Sequence, residues 1–157
     1  MSTFQGLPAH VLLVHFVVVL VPLTAVLAVL SALWPTARRK LIWLIASLSV
    51  VIVALTPLTT EAGEWLEHRL NATDVLRTHT ELGDTMLYFA LGLLVGVALL
   101  VFAHLRDGRD RPLPKGVVVV IAAVVIVTGA AATFQVYRIG DSGARSAWSG
   151  EMAATSN

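Results

Sequence analysis

The chain has 157 residues, 57% of them hydrophobic and 13% charged, with a net charge of +1. Soluble domains carry about 25% charged residues, so this composition points to a single membrane domain, without the basic surface that nucleic acid requires. There is no cysteine, which excludes disulfides, thiolate zinc sites, cysteine-held iron–sulfur clusters and c-type haem attachment, and leaves sites built from His, Glu and Asp.

The first segment, "MSTFQG", has no Lys or Arg, as a cleaved signal would require. The apolar run behind it is long and closes on "SALWPTARRK", so it is read as a retained first span. A span needs about 20 apolar residues, and four stretches qualify, at about 8–34, 41–58, 86–105 and 117–137. They make one domain over 1–148, followed by a polar tail at 149–157 that is expected to be disordered.

Span one opens with "GLPAHVLLVHF". Pro8 suits a first helical turn, where its missing N–H is not needed. His10 and His15 lie five residues apart, about 7.5 Å of rise and about 140° of rotation, too far round to share a small ion. His15 is the deeper, and lipid offers its ring no partner, so it is expected to face the bundle interior. Pro22 is a candidate kink.

After "WPTARRK" and span two comes "TTEAGEWLEHRL", with Pro57 just ahead of it. Glu61, Glu64 and His68 fall on one face of a helix continuing from the span. That stripe can bind a metal or relay protons, or be a solvated face. Asn71-Ala72-Thr73 matches a glycosylation sequon, a weak signal when alone.

In "RTHTELGDTMLYF", Thr73 or Asp74 can cap a helix that runs into span three. His79 lies about two turns ahead of Met86, and Gly83 shares its face, leaving room for a close neighbour or a flat ligand. His104, in "VFAHLRD", reads as interfacial. "RDGRDRPLPKG" is a turn. Beyond span four, "QVYRIGDSGARSAWSG" suggests a turn at Gly140, Ser142 and Gly143, an Asp141–Arg145 pair and a Trp148 that docks back.

Arg38, Arg39, Lys40, Arg106, Arg109, Arg111 and Lys115, seven of the eleven basic residues, sit in the two short turns. The positive-inside rule puts those turns in the cytoplasm. The expected fold is therefore all-α, a four-transmembrane-helix bundle with both termini on the extracytoplasmic side. His10, His15, His68, His79, Glu61 and Glu64 then gather at its outer end.

Three readings of that cluster stay open. A b-type haem needs an axial His and often a second from a facing helix; His15 and His79 are the candidate ligands, with His10 and Glu64 in support. A divalent metal site would use His15, His79, Glu61 and Glu64, but no HExxH or ExxH motif is present. A non-catalytic module that binds a partner or senses a metal, without haem, is the alternative in another class. No nucleophile–base pair is recognisable, so a stand-alone enzyme is not expected.

"GLPAHVLLVHF" resembles the His-Pro-x-x-x-His-Phe opening of the domain-of-unknown-function 2231 family of predicted bacterial membrane proteins. "TTEAGEWLE", "HTELGDTM" and "RIGDSGARSAW" resemble its later blocks, so the resemblance runs from Gly6 to Trp148. Val11 and Val17 stand where the family commonly has Pro. The resemblance implies a compact four-span bundle in a bacterial plasma membrane, with polar marks at positions 10, 15 and 79. Some members are fused or adjacent to redox proteins, which implies haem, electron transfer and a redox partner or other membrane subunit.

Overall fold

The computed structural model describes residues 3–4, 7–67 and 74–155. Two short strands, β1 (Thr3–Phe4) and β2 (Leu7–Pro8), pair antiparallel. Four helices follow: α1 (Ala9–Leu33), α2 (Pro35–Glu67), α3 (Asp74–Asp107) and α4 (Lys115–Thr155). All four are long and apolar enough to cross a membrane, with mean hydropathies of 2.4 to 2.7 in their apolar windows. α1 matches its expected span, and the other three helices run well past theirs. α2 and α3 absorb most of the link between spans two and three, and α4 continues through Thr155. His68 and the Asn71-Ala72-Thr73 sequon lie outside the described residues, as does the side chain of Trp148.

The helices pack as a ring in which α1 and α3 are diagonal. Each buries one stripe at three- and four-residue steps, the spacing of near-parallel bundle packing. The stripes are Val17, Val21, Thr24, Ala28 and Ser31 on α1; Ile42, Ile45, Ser49, Ile52 and Thr56 on α2; Met86, Ala90, Leu93, Val97 and Leu100 on α3; and Ile121, Val125, Gly129, Ala132 and Val136 on α4. Large side chains such as Val19, Val50, Tyr88, Val95, Val127 and Phe134 point outward. The interior mixes small residues such as Ala28, Ala90, Gly129 and Ala132 with Ile and Leu, and the small ones let helices in lipid come into close contact. At Gly129, an added Cβ would lie 3.3 Å from the Cβ of Ala25.

Hydroxyls inside the helices mostly bond their own backbone, as Thr56 does to Ile52 O at 2.7 Å and Thr133 to Gly129 O at 2.8 Å. Trp34 alone separates α1 from α2, where Pro35 supplies no N–H and starts the new helix. The turn from α3 to α4 passes through Asp110 at φ 53°, a left-handed conformation that Asp tolerates better than most residues. At this end Arg38 donates to Asp107 at 2.5 Å, tying α2 to α3. The opposite end, where α1 and α3 begin, is the histidine end.

Candidate functional site

The histidine end holds a partly open cavity of about 100 Å³. One buried side chain from each helix forms its floor: Val17, Thr56, Met86 and Val136. His10 and His79 line it from the diagonal helices α1 and α3, with ring centres 6.3 Å apart and planes at 85°. Gly83 also lines it, and a Cβ there would meet nothing within 4 Å, the room that its place on the face of His79 suggested.

Both rings are held in the same way. His10 Nδ1 lies 2.9 Å from Thr59 O on α2. His79 Nδ1 lies 3.1 Å from Ile139 O on α4 and 3.0 Å from Ser142 Oγ, whose hydroxyl donates to that same carbonyl at 2.9 Å. A carbonyl oxygen only accepts, so in the neutral ring Nδ1 carries the proton and donates it. Nε2 is then the nitrogen with the free lone pair, the one able to take a proton or bind a metal.

The structure does not bring His15 to His79. Five residues beyond His10, His15 is rotated off the stripe that carries Val17 and Val21, and it is exposed on the outer side of α1 beside Phe16. The partner that faces His79 is His10. Glu61 and Glu64 are exposed too, because Gly63 takes the inward position of that turn. The carboxylate that lines the chamber is Glu67, one turn further on the inner face of α2. Gly140, Ser142 and Gly143 do not make a turn: α4 passes straight through them, with Ser142 buried against His79. Asp141 and Arg145 pair at 3.0 Å on the exposed side.

Sequence reasoning missed Thr59, Ile139, Ser142 and Gln135. Gln135 is the one amide inside an apolar span. It is 2% exposed and its Nε2 donates to Leu82 O at 3.2 Å and Thr85 Oγ1 at 2.7 Å, fixing α4 to α3 just below His79. A lone amide in hydrocarbon needs such partners, and that was the available signal.

Chemically, the cavity offers two imidazole rings in a largely apolar lining. Among the described residues no group of three or more His, Asp or Glu side chains is arranged to hold a metal ion. A bare divalent ion wants three or four protein ligands. A haem iron takes four nitrogens from its macrocycle and needs only axial ligands from the protein. The two histidines alone are thus fewer donors than a bare divalent ion takes.

The model of a family described as a predicted membrane protein (DUF2231) matches residues 6–156. No curated protein and no solved structure matches the chain.

Proposed function

The chain belongs to the DUF2231 family of predicted membrane proteins, and from that premise we propose that it is an integral membrane protein that holds a b-type haem between His10 and His79 and passes single electrons at the histidine end. The observation that carries this reading is the facing pair itself: two imidazoles from diagonal helices, 6.3 Å apart, each with Nδ1 engaged by a main-chain carbonyl.

His10 and His79 would hold the haem through Nε2. When bound, the haem would supply one-electron chemistry at a potential tuned by its histidine ligands and by the polarity around it. The protein's part is to bind and orient. Thr59 and Ile139 fix the ring tautomers, as carbonyl partners do for metal-bound histidines. Val17, Met86 and Val136 keep water from the floor. Glu67 puts a carboxylate at the wall, where its negative charge would favour positive charge on a bound group. With the arginine-rich turns in the cytoplasm, the histidine end faces away from it, and the electron partner is a membrane or extracytoplasmic protein.

The test is a visible spectrum of the protein purified in mild detergent after expression with a haem precursor. A Soret band with sharp reduced bands is expected, lost in His10→Ala and in His79→Ala and kept in His15→Ala. A colourless wild-type protein would sink the proposal. Loss in His15→Ala with retention in His10→Ala would move the axial pair.

A further inference from the structure

The two histidines sit at equivalent places in two copies of one device. Along α1 and α3, His10 and His79, Val17 and Met86, Val21 and Ala90, Thr24 and Leu93, Ala28 and Val97 are pairs at one constant separation in sequence, and every pair after the first is buried. Along α2 and α4 the same holds for Ile45 and Val125, Ser49 and Gly129, Ile52 and Ala132, Thr56 and Val136. The constant separation of that second pair of helices also equates Thr59 with Ile139 and Gly63 with Gly143. These are the two carbonyls that hold the rings and the two glycines that lie under them.

The contacts at those glycines match. A Cβ on Gly63 would lie 2.9 Å from His10 Cε1 and 3.0 Å from Nδ1; a Cβ on Gly143 would lie 3.0 Å from His79 Cε1 and 3.3 Å from Nδ1. The reason lies in helix geometry. The carbonyl of residue n points along the axis at the N–H of residue n+4. A ring that reaches in to donate to that carbonyl must pass over the Cβ position of n+4. Thr59 has Gly63 there, and Ile139 has Gly143.

We infer that Gly63 and Gly143 are positioning residues, equivalent seats that admit the His10 and His79 rings to their carbonyls, and that the site is a two-fold arrangement of one His–carbonyl–Gly unit. The inference concerns the site proposed above, but the seating of the rings does not depend on a haem. Any Cβ on either glycine meets the far end of a side chain, so the ring yields rather than the helix. The ring then loses its Nδ1–carbonyl hydrogen bond.

Nitrogen-15 NMR of labelled histidine, on the full chain in detergent without added haem, reads this directly. The wild-type protein is expected to give two neutral rings protonated on Nδ1 with hydrogen-bonded shifts. Gly63→Ala should abolish that signature for His10 alone, and Gly143→Ala for His79 alone. Gly140→Ala, whose Cβ meets nothing within 4 Å, should change neither and controls for helix propensity. An unchanged His10 signature in Gly63→Ala, or an unchanged His79 signature in Gly143→Ala, overturns the inference. Should Gly63→Ala fail to fold, rescue in Gly63→Ala/His10→Ala supports the seat, because the clash is then with the ring; failure in both backgrounds refutes it. A wild-type protein with the expected NMR signature but no haem spectrum would refute the cofactor and leave the seats standing.

Discussion

Replacing Gly96 with Ala tests how closely α3 and α4 are packed. An added Cβ would lie 2.8 Å from Thr128 Oγ1, 3.5 Å from Val125 Cα and 3.6 Å from Val125 Cγ2. Carbon contacts are comfortable from about 3.5 Å, so several tenths of an ångström must be found. Thr128 cannot turn away freely, because its hydroxyl donates to Val124 O at 2.9 Å; losing that bond costs about 1 kcal/mol. If the helices separate instead, overpacking costs about 1–3 kcal/mol. Alanine's better helix propensity returns up to about 1 kcal/mol. The net expectation is a loss of between about 0 and about 3 kcal/mol, and one of about 1–3 kcal/mol relative to Gly92→Ala, which gains the same propensity. Gly92 is the control, since its Cβ would meet only Thr128 Cγ2 at 3.8 Å, so Gly92→Ala should be neutral or mildly stabilising. Equilibrium unfolding in mixed detergent micelles, followed by helical circular dichroism, measures both. Gly96→Ala should also cost little when Thr128 is already Ala. A Gly96→Ala protein as stable as Gly92→Ala would refute the reasoning.

Further outcomes can be read with the same equipment. Gln135→Leu removes two inter-helix hydrogen bonds and should lower stability by about 1–2 kcal/mol in that unfolding assay; no loss would mean the amide does not tie α4 to α3. At the arginine end, Asp107→Ala should cost more than Arg38→Ala. The guanidinium is 8% exposed and would be left buried without its carboxylate, at about 3 kcal/mol, whereas Asp107 is 42% exposed and can hydrate; equal losses would contradict that asymmetry. Because the chain has no cysteine, Glu61→Cys and Arg109→Cys each carry a single thiol. An impermeant reagent should label the first on intact cells and the second only after lysis, and the reverse pattern would invert the orientation.

The four helices were legible in the sequence because lipid demands long apolar runs and the chain supplies four of them. Their ends were less so. Polar turns such as "TTEAGEW" and "RIGDSGAR" read as links or lids, yet they continue α2 and α4, since a helix already formed loses little by extending past the apolar region. The site was half legible. Isolated histidines at one end of the chain's spans pointed to the end where the structure places His10 and His79 around a cavity. Depth in the apolar run, however, favoured His15 over His10, and depth says nothing about which side of the helix a residue takes. The stripe through Val17 and Val21 decides that, and it runs through position 10. Likewise Glu61 and Glu64 stood out as acids, while the inward residue between them is a glycine. Thr59 and Ile139 could not be found by residue type, because the groups they contribute are main-chain.

That last property bears on how the protein tolerates change. Each histidine is oriented by a peptide carbonyl, and a carbonyl persists whatever side chain stands at 59 or 139. A drifting sequence can exchange Thr for Ile, as the two halves of this chain do, without altering which nitrogen holds the proton. What it cannot exchange freely is the small residue one turn beyond. Substitutional constraint in this site should therefore fall on two rings and two glycines, and relax at the positions that hold the rings in place.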